Sequence, residues 1–358
     1  MAKILVALSG GVDSAVTALT LNHNGWDPVG IHLRLFDSDP ETLAEGVCCG
    51  DAAAEDARQV AAGLDIPFYV RDLREEFDQN VAQFTIDSYA AARTPNPCLN
   101  CNHKVRIPGL LHLADSLGIE KVATGHYVRK IRSGGRWYLG EGDDPRRDQS
   151  YALYRLTSEQ LDRLEFPVGE MDKPTVRELA ASAEIHVARK ASSVDLCFAK
   201  TAGGVGNLVS EARPETGKPG PMIDEGGRVV GQHPGIAYVT VGQRRGLQWN
   251  ITTPERKYVS RIDPESGAVR VATRNRIMTH SAQLEDPIWH DVLLSESVEA
   301  RIRYQGPRFP VRLHGNDRVE FIEPGPPLAV GQAVVLYDGS RLLGGGIAGS
   351  VTPIEELD

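Results

Sequence analysis

Residues 3–14 read K-I-L-V-A-L-S-G-G-V-D-S. The run Lys3–Leu8 is nearly all apolar, which is the composition of a strand buried on both faces. Two glycines follow, and from Val12 to Asn24 the spacing is helical, with Gly25 as a stop. A strand that enters a helix through S-G-G-x-D-S leaves free N–H groups at the helix start, and glycine lets a ligand approach that backbone closely. Ser9 and Ser14 add hydroxyl donors, while Asp13 can either hold Mg²⁺ or cap the helix. The lysine of a G-x-x-x-x-G-K-[ST] loop is absent, and the glycines do not follow G-x-G-x-x-G. The stretch is open to two readings: an anion cradle of another type, or a glycine-rich turn that binds nothing.

The alternation continues outward from it. Val29–Phe36 reads as a second strand, Ala52–Ala62 as a helix before Gly63, and Phe68–Val70 as the start of a third strand. Arg74–Ala92 and Ile107–Leu117 read as helices, the latter closed by Gly118, and Lys121–Thr124 as a further strand. Strands separated by helices imply a Rossmann-like, doubly wound parallel sheet whose ligands bind at the carboxyl ends of the strands. Helical segments continue over 151–190, including Lys173–Ala183 with Pro174 near its start. Beyond about residue 203 the chain turns to Gly/Pro turns between short β-like runs: Tyr238–Val241, Tyr258–Ile262, Val269–Ala272, Val298–Tyr304, Val319–Ile322 and Ala333–Tyr337. The expected organisation is an α/β catalytic domain over 1–202, a central β-rich domain over 203–275 and a C-terminal β-barrel-like domain over 276–358.

Bulk properties narrow the class. The chain of 358 residues, 41% hydrophobic and 24% charged, is globular and long enough for two or three cores. Its start is not a signal peptide, since Ser9-Gly10-Gly11 cuts the apolar run, and no run approaches a membrane span. The expected location is cytoplasmic. A net charge of −9 argues against non-specific polyanion binding. Local basic patches at Arg301–Arg318 and around Arg129–Arg147 nevertheless admit an RNA partner as readily as ordinary solvated charge.

Five cysteines, at 48, 49, 98, 101 and 197, point toward redox or metal chemistry rather than a disulfide scaffold. Cys98 and Cys101 lie in T-P-N-P-C-L-N-C-N-H-K (94–104), and Cys197 lies in S-S-V-D-L-C-F (192–198). Sulfur transfer needs one thiol to carry a persulfide and a second to resolve the resulting disulfide. Cys48 and Cys49, at the head of the second helix, read equally as bystander thiols.

The loop S-G-G-x-D-S resembles the pyrophosphate loop of the N-type ATP pyrophosphatases, which cleave ATP between the α and β phosphates and pass AMP to a substrate oxygen. Seven further stretches narrow the resemblance. They are R-T-P-N-P-x-x-x-C-N (93–102), A-T-G-H-Y (123–127), D-Q-S-Y (148–151), the cysteine before Phe198, G-Q-R-R-G-L (242–247), R-Y (303–304) and L-G-G-G (343–346). In that order they are similar to the tRNA 2-thiouridylase (MnmA) family, and the likeness spans nearly the whole chain.

That resemblance implies ATP-dependent, Mg²⁺-assisted 2-thiolation of the wobble uridine in tRNAs for Lys, Glu and Gln. Uridine O2 would be adenylated with pyrophosphate release, and sulfur would then arrive from a Cys197 persulfide with Cys101 as partner nucleophile. It implies ATP at Ala7, Leu8, Ser9, Gly10, Gly11, Val12, Asp13, Ser14, Leu33 and Gly125. The target base falls to Asn96, Pro97 and position 98, and tRNA to His126, Arg147, Asp148, Gln149, Arg303, Tyr304 and Gln332. A cysteine desulfurase or sulfur-relay protein would supply the persulfide, and the family expectation is a monomer. A proline-braced loop suits a flipped-out uracil, and arginines with an aromatic suit an RNA loop.

The chain departs from the family at Cys98, where many members have an aspartate proposed as acid/base. The lead-in Lys190-Ala191-Ser192-Ser193 and the Asp195 two residues before Cys197 also depart. Cys98 is thus an aspartate substitute, a bystander, or the third ligand of a [4Fe–4S] cluster with Cys101 and Cys197. A zinc site would need a fourth ligand, for which only His103 is at hand. Two alternatives to persulfide chemistry stay open: thiolation through such a cluster, and an RNA-binding paralogue with weakened catalysis.

Overall fold

Ile4, Leu5 and Val6 have no exposed surface, because the strand β1 (Lys3–Ala7) has a parallel partner on each side. After β1 come α1 (Val12–His23), β2 (Asp27–Arg34), α2 (Asp51–Gly63) and β3 (Phe68–Asp72). The later strands of this sheet are β4 (Lys121–Ala123) and β7 (Leu164–Glu165), with the hairpin β5 (Val128–Ser133) and β6 (Arg136–Glu141) between them in sequence. The strand order β3-β2-β1-β4-β7, parallel throughout, reverses direction between β1 and β4. The crevice of such a sheet opens at that reversal, beyond the carboxyl ends of β1 and β4. Apolar residues of α1 (Val16, Leu19) pack with Ile4, Val6 and Leu8, and with Val176 and Ala180 of the helix Lys173–Ser182, in one core.

The computed structural model describes residues 1–37, 51–191, 196–200, 202–250, 255–290 and 298–354. The chain forms two compact units: Met1–Ala82, Cys98–Thr201 and Gly339–Leu342 in one, and Gln83–Pro97, Ala202–Asp338 and Leu343–Asp358 in the other. Cys48, Cys49 and residues 192–195 of the lead-in to Cys197 lie outside the described residues.

The second unit is mostly β. A five-stranded sheet takes the order β10-β9-β8-β12-β11, from β8 (Gly220–Ile223), β9 (Val229–His233), β10 (Gln248–Trp249), β11 (Lys257–Ile262) and β12 (Val269–Thr273). The last six strands are β13 (Thr279–Trp289), β14 (Val298–Arg301), β15 (Arg308–His314), β16 (Arg318–Gly325), β17 (Ala333–Asp338) and β18 (Arg341–Pro353). They run β13-β16-β15-β14-β17-β18, and the β13–β18 pairing closes them into a barrel around Ala300, Val311, Phe321, Leu336 and Ala348. Closure leaves no strand edge exposed.

The fold class expected from the sequence is the one observed, with local corrections. Tyr238–Val241 is not a strand: a short 3₁₀ turn (Ile236–Tyr238) ends there, and the Thr240 N–H donates to Gln243 Oε1 rather than to a neighbouring strand. The run Val298–Tyr304 is extended only to Arg301. The helical stretch from Arg74 is interrupted by a wide, π-helical turn over Asp78–Ala82, and a second such turn occupies Cys101–Arg106. The hairpin β5–β6 was not anticipated. Its turn, Gly134-Gly135, has φ of 55° and 79°, the left-handed pair that two-residue hairpins require.

Candidate functional site

The loop between β1 and α1 is held by contacts only glycine permits. Gly10 sits at φ +72°, and a Cβ there would lie 2.3 Å from the Ala53 carbonyl oxygen of α2. Gly11 caps α1 in extended conformation, and no side chain occupies the cap position. The loop is closed by Ser14, whose hydroxyl donates to the Gly11 carbonyl at 2.9 Å and accepts from the Ser9 N–H at 3.1 Å. The Ser9 and Ser14 hydroxyls are themselves 3.2 Å apart. Upstream, the Leu8 N–H donates to the Ile31 carbonyl, and the buried His32 Nδ1–H donates to the Leu8 carbonyl at 2.9 Å. Leu33 follows at the carboxyl half of β2, half-buried. Gly125, after β4, abuts the first turn of α1: a Cβ there would stand 2.8 Å from Ser14 N. Ala7 to Ser14 and Gly125 therefore gather at the sheet's crevice, where a helix start favours an anion.

Three side chains that the sequence reading left out complete this loop. Tyr127 OH and Lys173 Nζ both donate to Asp13 Oδ1, each at 2.6 Å. Burial, reinforced by the Asp13 charge and hydrogen bond, pushes the Tyr127 phenol well above its ordinary range, so it stays a neutral donor. Burial also pulls the Lys173 ammonium downward, against the attraction of Asp13. Lys190 Nζ donates to the Gly10 carbonyl at 3.0 Å and pairs with Asp56, which His186 also approaches at 3.3 Å. Tyr127 was visible as the end of A-T-G-H-Y; the lysines carry no local signal, since the partners lie 160 and 180 residues away.

The cysteines of the short helix Pro97–Asn100 and the turn after it face different surroundings. Cys98 is exposed, Cys101 is buried, and Cys197 is between the two. Asn102 Nδ2 donates to the Ala152 carbonyl at 3.3 Å, fixing the turn that carries Cys101. Arg106 Nε–H donates to the Cys101 sulfur at 3.3 Å. The Cys197 segment is anchored next door: the Phe198 ring stands edge-on to Phe77 with centroids 5.4 Å apart, and the wide turn after Phe77 packs against Cys101–Arg106. The His103 ring is half-buried, its pKa pulled down by burial and by Arg155 and Lys104.

Among the residues expected on tRNA, His126 shares a 2.8 Å hydrogen bond with the Thr124 hydroxyl. Gln149 Oε1 accepts from the Tyr127 N–H at 2.9 Å. Asp148 is 2% exposed, and its carboxylate accepts from the Gly142 N–H, the Ser150 N–H and the Ser150 hydroxyl. Its carboxylate shapes the loop, leaving Arg147, half-buried beside it, as the charged group nearer solvent.

In the second unit, Asn96 and Pro97 follow a stretch held by backbone: the Thr94 N–H donates to the Val330 carbonyl at 2.7 Å, and Arg93 pairs with Glu285. Gly331, at φ +93°, has its Cα face against Thr94 N, where a Cβ would come within 2.9 Å. Gln332 follows at once, its side-chain oxygen accepting from the Ala329 N–H. Arg303 and Tyr304 are exposed, and Gly242, which opens G-Q-R-R-G-L, packs on Pro327 near the Arg303 guanidinium.

The donor sets decide which metals fit. Tyr127 and Lys173 bond Asp13 through Oδ1, so Oδ2 is the oxygen that would hold Mg²⁺, an ion usually held by one or two carboxylates plus substrate phosphates. The cysteines expected as cluster ligands differ in surroundings: Cys98 is exposed, while Cys101 is buried with an arginine against its sulfur. Among the described residues no group of three or more Cys, His, Asp or Glu side chains is assembled for a metal. Nor is any described helix long and apolar enough to cross a membrane.

Comparison with known proteins gives three family matches in succession. Residues 2–201 match a tRNA methyl transferase HUP domain, 208–273 a tRNA methyl transferase PRC-barrel domain, and 279–348 an aminomethyltransferase beta-barrel domain. The chain is 41% identical over 360 residues to the tRNA-specific 2-thiouridylase MnmA of Moorella thermoacetica, covering 98% of this chain and 100% of that one. It is 40% identical over 351 residues to the protein of that name from Zymomonas mobilis, covering 98% and 94%. With the one from Methylorubrum populi it shares 42% over 360 residues, covering 96% and 92%.

Proposed function

Since the chain belongs to the tRNA-specific 2-thiouridylase (MnmA) family, we propose that it thiolates C2 of the wobble uridine in tRNAs for Lys, Glu and Gln at the expense of ATP. The observation that carries this reading is the coincidence, in one unit, of the Ser9–Ser14 cradle and a buried cysteine in contact with a cation. The N–H groups of residues 9–14 bind the pyrophosphate end of ATP, with Asp13 Oδ2 on Mg²⁺ and adenosine toward Leu33 and Gly125. Lys173 and Tyr127 fix Asp13, so that its carboxylate is held in place before substrate arrives.

The chemistry balances in three steps. Uridine O2 attacks the α phosphorus of ATP and pyrophosphate leaves, which makes O2 part of a good leaving group. The terminal sulfur of a Cys197 persulfide attacks C2, and AMP departs with the oxygen. The Cys101 thiolate then attacks Cys197 Sγ, which releases the thiocarbonyl sulfur to the base and leaves a Cys101–Cys197 disulfide. An external thiol reductant restores both cysteines, and a desulfurase or relay protein reloads Cys197. Asn96, Pro97 and Cys98 form the base pocket. His126, Arg147, Gln149, Arg303, Tyr304 and Gln332 meet the tRNA, and Asp148 supports the loop that presents Arg147 and Gln149.

The test is to incubate the protein with ATP, Mg²⁺, a persulfide donor and an unmodified tRNA-Glu transcript, then digest the tRNA for nucleoside mass spectrometry. The expected product is 2-thiouridine at the wobble position. Neither 2-thiouridine nor pyrophosphate would leave RNA binding as the activity, and thiolation persisting in both Cys101→Ser and Cys197→Ser would overturn the sulfur route.

A further inference from the structure

Cys101 and Arg106 are five residues apart, a spacing that an α-helix does not bring together. At 3.6 residues per turn, side chains at i and i+5 diverge by about 140°. The chain from Cys101 to Arg106 instead makes a wide turn, in which the Ile107 N–H bonds back to the Asn102 carbonyl five residues earlier. That widening swings Arg106 over Cys101 and sets its Nε–H 3.3 Å from the sulfur. The turn is fixed from several sides. Val105 and Asn102 are buried, Asn102 is tied to Ala152, and Gly109 in the following helix lies where a Cβ would come 2.7 Å from Leu73.

We propose that Arg106 is a positioning residue for the sulfur chemistry: the wide turn exists to hold its guanidinium on Cys101, keeping that buried sulfur as an oriented thiolate. This rests on the reading of Cys101 as the resolving nucleophile. A thiolate, not a thiol, performs that attack, and a buried thiolate without a counter-charge is unfavourable. Arginine suits the task because it stays protonated at all working pH values and, donating through Nε, holds a directional contact. The surrounding titratable groups are mixed. Arg74, Glu75, Glu76 and Asp78 lie on the helical segment packed against the turn, Tyr151 on the short helix that also meets it, and His103 and Lys104 on the turn itself. Arg106 brings a cation into hydrogen-bond contact with the sulfur.

The test measures iodoacetamide alkylation of the Cys101 peptide against pH in the full chain, by mass spectrometry, with the Cys98 and Cys197 peptides read from the same samples. In the parent protein Cys101 titrates about one unit or more below the ordinary thiol value of about 8.5. In Arg106→Gln it moves up by about one unit, an approximately tenfold fall in thiolate at pH 7, while the other two curves stay in place. Arg106→Lys retains most of the shift. A parent Cys101 that titrates at or above the ordinary value overturns the proposal without any variant, as does an unchanged curve in folded Arg106→Gln. Assaying 2-thiouridine on the same preparations separates the two layers. A low-titrating Cys101 in a protein that makes no 2-thiouridine leaves Arg106 assigned and sinks the function.

Discussion

Gly10 and Gly11 are neighbours in one motif, yet the structure assigns them different sensitivities. Gly10→Ala places a side chain at φ +72°, which costs about 1–2 kcal/mol for an L-residue. Its Cβ would meet the Ala53 carbonyl oxygen at 2.3 Å and the Ala53 Cα at 2.9 Å. Those are backbone atoms of α2, so nothing flexible can yield, and overpacking of this kind costs a further 1–3 kcal/mol or so. The expected loss is about 3 kcal/mol, which lowers the melting temperature of a unit this size by roughly 6–12 °C. Gly11→Ala is different: φ is −107°, and the nearest atom to a Cβ there is the Ser9 hydroxyl at 3.5 Å, an ordinary contact. Its stability should change by less than about 1 kcal/mol, the range of a lost glycine cap. Differential scanning calorimetry, with ATP affinity by isothermal titration, reads both. Gly11→Ala keeping its melting temperature while losing ATP affinity places Gly11 against the ligand. Gly10→Ala melting with the parent would refute the steric account of this loop.

Further outcomes follow from the same geometry. Tyr127→Phe removes a 2.6 Å hydrogen bond to Asp13 and should cost about 1.5–3 kcal/mol, seen as a higher KM for ATP with little change in the base pocket. Phe198→Ala removes the ring packed on Phe77 and should raise hydrogen exchange in the Cys197 peptide while sparing the Ser9–Ser14 loop. His233 is 1% exposed, donates through Nε2 to the Gly267 carbonyl and accepts at Nδ1 from the Gly235 N–H, so burial pulls its pKa below 6.5. The folded state therefore binds fewer protons than the unfolded one just below pH 6.5. Stability of the second unit should fall as pH drops through that window, and His233→Gln should flatten the slope of its urea midpoint against pH.

The legible and illegible parts of the chain divide by range. Lys3–Ser14 announces strand, turn and helix within a dozen residues, and the sheet follows from repeats of the same local pattern. The closed barrel was harder, because β13 and β18 carry bulges and glycines that break two-residue alternation. The β5–β6 hairpin has a strong turn signal in Gly134-Gly135, but Arg129, Lys130, Arg132 and Arg136 hide the alternation of apolar and polar residues in its strands. Tyr238–Val241 has strand composition, but Gly235 and Gly242 at positive φ bend both ends of the segment into turns. Within the site, motif residues were found and their supports were not. Lys173 and Lys190 reach Asp13 and Gly10 only through the tertiary fold, and Arg106 reaches Cys101 only because the intervening turn departs from the α-helical period.

The most direct test of the account is to quantify pyrophosphate and 2-thiouridine in one reaction, for the parent protein and for Cys101→Ser. The account predicts one pyrophosphate per thiolated uridine in the parent, and pyrophosphate without 2-thiouridine in the variant, because the adenylating loop and the resolving thiol are separate groups. Full thiolation by Cys101→Ser, or 2-thiouridine formed without pyrophosphate release, would contradict it.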